Sequence, residues 1–298
     1  MSDELRDQLA RAATATEAAI DRLLTATPQA GETERPPRLL SAMRYAALGP
    51  GKRIRPFLVI ETANLFGATS AAVITTAAAL ECVHAYSLVH DDLPAMDDDD
   101  LRRGRPTVHK AYDEATAILA GDGLLTLAFD ALAALDAPAD TRVALIGGLA
   151  RAAGIGGMVG GQALDLDTDA PAEAQAIRTM QAMKTGALIR YAVEAGAILG
   201  AASQADRARL AMFGARIGEA FQIADDLIDA TGTVETAGKR TAKDAALGKR
   251  TVVALVGIDA ARERLAFLVR QARDTLAPFG DRAAPLAAMA TFIATREA

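Results

Sequence analysis

An apolar segment that leads directly into a dense stretch of charge constrains the fold of this chain more than any other feature. Residues 80–89 are largely apolar and compatible with a helix, whereas residues 91–100 contain six aspartates and are followed by three arginines at 102, 103 and 105. Charge runs are usually solvated faces or flexible tails. Because a segment typical of a protein core leads into this run, we expect the carboxylates to lie at the end of a buried helix.

The crowding of these aspartates has a chemical consequence. Neighbouring like charges resist ionisation unless a cation holds them together. Oxygen ligands suit hard divalent cations, and Mg²⁺ typically combines one or two carboxylates with substrate phosphates and water. From this run alone, a metal–phosphate site and a solvated acidic loop are equally good interpretations.

A second acidic cluster favours the metal site. Asp225 and Asp229 are four residues apart, so they share one face of a helix, where like charges are destabilising unless a cation compensates them. The two clusters are separated by 225 − 91 = 134 residues. This arrangement predicts two opposed helices that direct carboxylates into one cavity and hold several Mg²⁺ ions around a diphosphate.

Composition predicts the fold class. Hydrophobic residues make up 51% of the 298 residues, alanine occurs in nearly every segment, and runs of β-branched residues are scarce. This composition is typical of an all-α protein rather than of a protein built from β-sheets. Since no stretch in the middle resembles a linker, we expect one single-domain helical bundle over residues 1–298.

The net charge and the cysteine content limit the kinds of binding partner and the cellular compartment that we expect. The net charge of −6 argues against nucleic acid as the main partner. A single cysteine, Cys82, excludes a disulfide framework within the chain and predicts a cytoplasmic location. The acidic, polar N-terminus is unlike a signal peptide. No apolar run reaches the roughly 18 uncharged residues of a spanning helix, so no transmembrane segment is expected.

Basic and polar residues at three other places add to this pattern. Residues 49–56 form a glycine-containing turn with three cations, which suits a diphosphate although such turns are more often ordinary surface features. Lys184 lies in a segment that is apolar on both sides, and a buried lysine needs an anionic partner. His84 precedes Asp91 by two helical turns, where a lone histidine is usually a core residue.

Tyr86 and Ser87 lie five and four residues before Asp91. In a helix they are about 6–7.5 Å from it along the axis. A hydrocarbon tail that hangs from a diphosphate bound at the aspartates therefore has to pass them.

Two motifs together carry a resemblance to a known family. Asp-Asp-x4-Asp followed by Leu-Arg-Arg-Gly at 91–104, and Phe-Gln-x2-Asp-Asp-x2-Asp at 221–229, resemble the two aspartate-rich motifs of the trans-prenyltransferases, or polyprenyl diphosphate synthases. The residues around the first motif are most similar to bacterial farnesyl diphosphate synthases. The resemblance extends from about residue 49 to 250 and implies an isoprenoid-synthase bundle around a central cavity, in a homodimer.

The resemblance also implies roles for individual residues. Three Mg²⁺ ions are expected in each active site, with Mn²⁺ as an alternative ion. The residues expected to hold them are Asp91, Asp97 and Asp225, supported by Asp92 and Asp229. The residues expected to hold isopentenyl diphosphate are Gly51, Lys52, Arg55, His84 and Arg103. The residues expected to hold the allylic diphosphate are Arg102, Lys184, Lys239 and Lys249. Thr185 and Gln222 are expected to stabilise the carbocation, and Gln162 and Asp165 form a supporting Gly-Gln-x-x-Asp element.

The expected reaction is head-to-tail condensation of isopentenyl diphosphate with an allylic diphosphate to give (2E,6E)-farnesyl diphosphate. By the same resemblance, Tyr86 with Ser87 forms the floor that stops elongation at fifteen carbons. Geranylgeranyl diphosphate synthesis is the nearest alternative. A terpene cyclase would not need the second diphosphate site, a noncatalytic subunit would have lost carboxylates, and a purely structural acidic protein would not place these motifs in family order.

Overall fold

The computed structural model describes residues 1–167, 173–231 and 251–295. The expected ligands Lys239 and Lys249 lie outside the described residues. The first part of the chain contains four helices: α1 (Asp3–Leu23), α2 (Pro37–Ala47), α3 (Ile54–Asn64) and α4 (Ala71–Asp91). A loop then leads to a short antiparallel hairpin of β1 (Leu101–Arg102) and β2 (Arg105–Pro106), in which Arg102 pairs with Arg105.

Four further helices follow the hairpin: α5 (Val108–Ala111), α6 (Glu114–Ala133), α7 (Ala139–Ala153) and α8 (Met158–Leu166). The rest of the described chain consists of α9 (Ala174–Gln181), a π-helical turn (Ala182–Gly186), α10 (Ala187–Leu199), α11 (Gln204–Thr231), α12 (Val252–Val256), α13 (Ile258–Leu276), a 3₁₀ segment (Ala277–Ala283) and α14 (Ala284–Thr295). Apart from the two-residue strands, the expected all-α fold is confirmed.

Helix α4 lies at the centre of the bundle. It packs against α1, α2, α3, α6 and α10, and residues on all its sides are buried. A helix that is apolar all round is suited to such a position, and its alanines allow neighbouring helices to approach closely. Helices α10 and α11 pack together on the other side of the bundle, and α11 also packs against α13. The first aspartate motif therefore begins at the end of α4, and the second lies within α11 of the same bundle.

The helix boundaries differ from the expected ones in physically simple ways. Apolar residues at helical spacing predict a helix over 4–26, but α1 ends at Leu23, where the backbone N–H of Leu24 donates to the carbonyl of Ile20. The sequence pattern predicts the next helix but one over 57–66, but α3 begins at Ile54, after Arg53 adopts a left-handed conformation with φ 48°. Pro56 is tolerated because it lies in the first turn, where its missing N–H has no helical partner.

Three apolar segments bear on the expected absence of a membrane-spanning segment. Within the described part of the chain, Ala71–Asp91, Glu114–Ala133 and Ala139–Leu166 are long and apolar enough to cross a membrane by length and composition alone. Each is interrupted by charge, at Glu81, Asp122 and Arg151 respectively. The first segment is mostly buried inside the bundle.

Candidate active site

The first aspartate run lies where α4 ends. Asp91 is the last residue of the helix and Asp92 is its C-cap. The following loop folds back on the helix end, because the backbone N–H of Asp97 donates to the Asp91 carbonyl at 2.8 Å and that of Asp99 donates to the Asp92 carbonyl at 3.3 Å. Thr107 fastens the far end of the loop, since its hydroxyl donates to the Asp99 carbonyl at 2.8 Å. The carboxylates are thus gathered at one helix terminus, as expected.

Asp91 is the aspartate whose ionisation is most informative. Burial raises its pKa to about 6, and the charges of Asp97 and Asp92 add to this effect, whereas Lys184 and Arg102 oppose it. A cluster of carboxylate oxygens that is costly to ionise is stabilised by a cation. This set of donors therefore fits a hard divalent ion such as Mg²⁺.

The hairpin after the loop directs two arginines to different partners. Arg103 and Gly104 both have positive φ, at 52° and 75°, as the two central residues of a type I′ turn require. On one side of this turn, Arg102 Nε donates to both carboxylate oxygens of Asp92 at 2.7 and 2.9 Å. Asp92 is only 3% exposed, so it serves to orient the Arg102 guanidinium. On the other side, Arg103 donates to the Pro50 carbonyl in the turn of residues 49–56, called the basic turn below.

His84, Arg55 and Arg103 form a second, cationic part of the site. The pKa of His84 lies well below its usual value, first because the ring is buried and then because the charges of Arg55 and Arg103 lie close to it. His84 is therefore neutral, and the arginine side chains around it are positively charged. Lys52 and Gly51 are exposed in the same turn as Arg55. The structure thus brings together the residues expected to hold isopentenyl diphosphate.

Lys184 lies in the π-helical turn, where the sequence predicted an uninterrupted helix. Such turns add one residue to a helix and are frequent at functional sites. The Lys184 ammonium donates to Asp165 of α8 at 2.6 Å. Helix α8 can approach this closely because of Gly161, where a Cβ atom would overlap the Lys184 backbone. The Gly-Gln-x-x-Asp element therefore supports Lys184 directly.

Thr185 and Gln222 are also brought together, through a network that the sequence did not predict. The Thr185 hydroxyl donates to Gln222 Oε1 at 2.9 Å, and Gln222 Nε2 donates to Asp226 Oδ1 at 2.9 Å. Gln181 Nε2 donates to the other carboxylate oxygen of Asp226 at 2.9 Å. Burial raises the pKa of Asp226, and these hydrogen bonds oppose that shift. The i, i+4 spacing of Gln222 and Asp226 was the available signal.

The second aspartate cluster lies on α11. Asp225 is half-buried and Asp229 is exposed one turn further along the helix. Among the described residues, no group of three or more histidine, cysteine, aspartate or glutamate side chains is close enough to form a metal site without other ligands. A Mg²⁺ ion that takes one or two carboxylates together with phosphates and water does not need such a group.

Tyr86 is fixed beside the aspartates. Its side chain is buried, and burial together with the nearby Asp91 charge raises its pKa to about 12. The His90 ring packs edge-to-face against it with 5.7 Å between ring centroids. His90 in turn rests on Gly121 of α6, where a Cβ atom would overlap the imidazole. Ser87 donates to the His84 carbonyl at 2.8 Å, so its hydroxyl is turned toward its own helix.

Comparison with known proteins adds to this geometry. The sequence profile described as Polyprenyl synthetase matches residues 36–277. A farnesyl diphosphate synthase of Escherichia coli (strain K12) is 46% identical over 270 residues, covering 87% of this chain and 89% of that protein. A chloroplastic geranylgeranyl pyrophosphate synthase of Catharanthus roseus is 41% identical over 267 residues, covering 88% of this chain and 75% of that protein. The apo crystal structure of an FPP/GFPP synthase from Zymomonas mobilis has a TM-score of 0.88 and 42% identity, covering 98% of this chain and 100% of the other.

Proposed function

The chain belongs to the polyprenyl synthetase family, and on that premise we propose that it is a prenyltransferase that makes (2E,6E)-farnesyl diphosphate from isopentenyl and geranyl or dimethylallyl diphosphate. The resemblance inferred from the two aspartate motifs is thereby confirmed at the level of the family. The name of the E. coli relative and the residues around Tyr86 support fifteen carbons as the product length.

One observation carries the proposal: two differently built charged regions occur along the last turns of α4, one around Asp91 and one around His84. Asp91 lies close to Asp97, Lys184 and Arg102, a mixture of carboxylates and cations that suits a metal-bound diphosphate. His84 lies close to Arg55 and Arg103, an almost purely cationic group that suits a diphosphate without a metal. Two substrates with one diphosphate each match this pair of regions. A terpene cyclase has a single diphosphate substrate and no use for the second region.

The ligands proposed for the metal are the aspartates of both motifs. Asp91, Asp97 and Asp225 would hold Mg²⁺, and Asp229 would support them; when bound, the ions supply positive charge that stabilises the departing diphosphate. Asp92 contributes by orienting Arg102, which with Lys184 provides further positive charge at the same diphosphate. Lys239 and Lys249 are proposed as additional ligands from the family resemblance alone.

The bond changes follow from this arrangement. The C–O bond of the allylic diphosphate breaks, and the diphosphate leaves with the electron pair. The double bond of isopentenyl diphosphate then attacks the allylic cation, and a new C–C bond forms. A proton is lost from the product cation to the departed diphosphate. This proton transfer needs no dedicated protein base, and the described residues place none beyond the groups already engaged in binding.

Thr185 and Gln222 are proposed to stabilise the cation. The Gln222 carboxamide oxygen accepts from Thr185, and its nitrogen is held by Asp226, so the orientation of the amide is defined. An oxygen dipole held in place before the reaction stabilises a developing positive charge without reorganisation. Thr185 follows Lys184 in the chain, and both lie in the π-helical turn, so the proposed cation-stabilising and diphosphate-binding groups share one element.

Homodimer formation and a cytoplasmic location complete the proposal. Ile118 and Leu119 on α6 are 45% and 55% exposed, and Val143 on the adjoining α7 is 69% exposed. Exposed apolar side chains on neighbouring helices suit an interface with a second copy of the chain. The cytoplasmic location is supported by the single cysteine.

Release of diphosphate tests the proposed reaction. With geranyl diphosphate and Mg²⁺, we expect rapid release only when isopentenyl diphosphate is present, because without its attack the allylic cation recombines with the bound diphosphate. Asp91→Ala and Asp225→Ala should abolish the release even at saturating Mg²⁺. Release from geranyl diphosphate alone with formation of cyclic products would instead indicate a terpene cyclase, and wild-type rates in both variants would refute the metal ligands.

A further inference from the structure

The basic turn contains a third cation that is directed away from solvent. Arg53 lies between the expected ligands Lys52 and Arg55 in the chain. Lys52 is exposed and Arg55 is half-buried, but Arg53 is only 5% exposed. No role in binding has been assigned to it so far. Its burial in the middle of a diphosphate-binding turn needs an explanation.

The Arg53 guanidinium joins three separate parts of the bundle. It donates to Glu81 Oε1 of α4 at 2.9 Å and to Glu17 Oε1 of α1 at 3.1 Å. It also donates to the carbonyls of Ala47 and Gly49 at 3.1 and 2.6 Å, where α2 ends and the turn begins. The planar fork of arginine is suited to holding several acceptors in fixed directions, which a lysine ammonium does not do.

The backbone of Arg53 shows that this arrangement is imposed by its surroundings. Its φ and ψ are 48° and 39°, in the left-handed region that residues other than glycine, asparagine and aspartate rarely adopt. Such a conformation persists only where neighbouring interactions determine it. Here the contacts of the side chain with Glu81, Glu17 and the two carbonyls provide that determination.

Stability alone is a weak reason for such a cluster. Burying an arginine and a glutamate together removes both from water, and apolar replacements of similar size are often equally stable. The best supported use of a buried polar cluster is to select one arrangement of the elements that it joins. Two of the elements joined by Arg53, the turn of residues 49–56 and α4, carry expected ligands of isopentenyl diphosphate.

The coupling to these ligands is direct. Glu81 precedes His84 by three residues on α4, so the two share one face of the helix. A Cβ atom at Gly51 would lie 2.8 Å from the Arg53 guanidinium and would also overlap that of Arg103. Arg103 donates to the carbonyl of Pro50 in the same turn. A displacement of Arg53 would therefore shift the turn relative to both His84 and Arg103.

We propose that Arg53 is a positioning residue for isopentenyl diphosphate: it does not touch the substrate, but it holds the basic turn in register with His84 and Arg103. This inference rests on the proposed function. Glu81 and Glu17 neutralise the Arg53 charge, so Arg53 acts on the turn through its hydrogen bonds rather than as a ligand of the diphosphate. Binding of the allylic substrate, which is assigned to the aspartates and Lys184, does not depend on this cluster.

The test is calorimetric binding of isopentenyl diphosphate to Arg53→Lys, together with steady-state kinetics. We expect the Kd for isopentenyl diphosphate to rise roughly 10- to 100-fold, the range that follows a small displacement of positioned groups. The KM for geranyl diphosphate should stay unchanged. The double variant Arg53→Met/Glu81→Met removes both buried charges and should keep the thermal midpoint while Kd stays elevated. Glu17→Gln, at a side chain that is 42% exposed, should weaken binding less than Arg53→Lys.

Arg35→Lys is the matched control. Arg35 also binds a carboxylate, Glu32, and two backbone carbonyls, those of Leu23 and Thr25, but it lies in the loop between α1 and α2. The Arg35→Lys variant should leave the Kd for isopentenyl diphosphate unchanged. Wild-type Kd in the folded Arg53 and Glu17 variants, or an equal loss in Arg35→Lys, would overturn the inference while leaving the proposed function intact. Failure of the wild-type protein to bind isopentenyl diphosphate would overturn both.

Discussion

Asp91 ends α4 with its carboxyl group among other aspartates, and this position makes its ionisation costly. Its pKa in the folded protein is about 6, above the ordinary value of 3.8 that applies to the unfolded chain. The folded state therefore holds the proton more tightly, so the group favours folding below about pH 4. This contribution is lost as the pH rises through 6. At pH 7 the metal-free protein bears a cost of roughly 2–3 kcal/mol.

Asp91→Asn should consequently stabilise the metal-free protein at neutral pH while abolishing turnover. We expect a gain of roughly 2 kcal/mol in the free energy of unfolding at pH 7, shrinking to nothing near pH 4. Urea unfolding between pH 4 and pH 8, in buffer that contains a metal chelator, measures this gain in the free energy of unfolding. Asp136→Asn, at an exposed position between α6 and α7, should show no such pH-dependent gain. A gain that grows toward acidic pH would contradict the assignment.

We expect Tyr86 to determine product length through its size rather than its hydroxyl group. Tyr86→Ala should shift the main product beyond fifteen carbons, because it opens the space beside the α4 terminus that the ring fills. Tyr86→Phe keeps the ring and its packing against His90 and should leave the product at fifteen carbons. Chromatography of the dephosphorylated products distinguishes these outcomes. An unchanged product in Tyr86→Ala would place the floor elsewhere.

Sequence reasoning predicted the types of residue in the site better than their pairing. The crowding of Asp91 and Asp97 and the anionic partner of Lys184 follow from charge and apolar context, and the structure has both. The buried roles of Arg53 and Asp226 were not predicted, because a charged side chain in a polar motif gives no sign of facing inward. Their burial depends on partners that are distant in the chain, such as Glu17 and Gln181.

At the scale of secondary-structure elements, the π-helical turn between α9 and α10 is the main departure from expectation. Segment 180–188 has the composition of an ordinary helix, so local propensity does not mark the extra residue. The turn is stabilised from outside, where Gly161 of α8 packs on its backbone and Asp165 binds Lys184. By contrast, the helices that the sequence pattern predicts over about 38–48, 71–89 and 114–134 occur as α2, α4 and α6 within two residues of these bounds, because their ends coincide with proline, polar turns or the aspartate run.

Gly161→Ala tests whether this contact matters to catalysis. The added methyl group would overlap the Lys184 backbone, so either α8 or the π-helical turn must move. We expect kcat to fall by about 10²-fold, as for a small misplacement of reacting groups, with little change in the KM for isopentenyl diphosphate. Gly156→Ala, where an added methyl group meets nothing within 4 Å, should leave kcat unchanged. Equal kcat in the two variants would contradict a role for the contact.

At the scale of the whole molecule, the bundle buries most of α4 but leaves apolar side chains on α6 and α7 exposed. The fold class followed from alanine content and the scarcity of β-branched runs, while the packing partners of each helix did not, because periodicity does not say which faces meet. The single-domain organisation over 1–298 and the homodimer both stay predictions.

Leu119→Glu should convert the proposed homodimer into a monomer, because a charge would replace an apolar side chain at its interface. Sedimentation at micromolar concentration measures the change. Met212→Glu is the control, since Met212 on α11 is 48% exposed and lies away from α6 and α7, and it should leave the oligomeric state unaltered. A wild-type monomer, or an unchanged assembly in Leu119→Glu, would contradict the proposed interface.

The measurement that tests the central claim most directly is incubation of the protein with radiolabelled isopentenyl diphosphate, geranyl diphosphate and Mg²⁺, with products resolved by chain length. The account predicts one labelled product of fifteen carbons, dependent on both substrates and absent with Asp91→Asn. A main product of twenty carbons would preserve the reaction but contradict the role of Tyr86. No incorporation of label would contradict the proposed prenyl transfer itself.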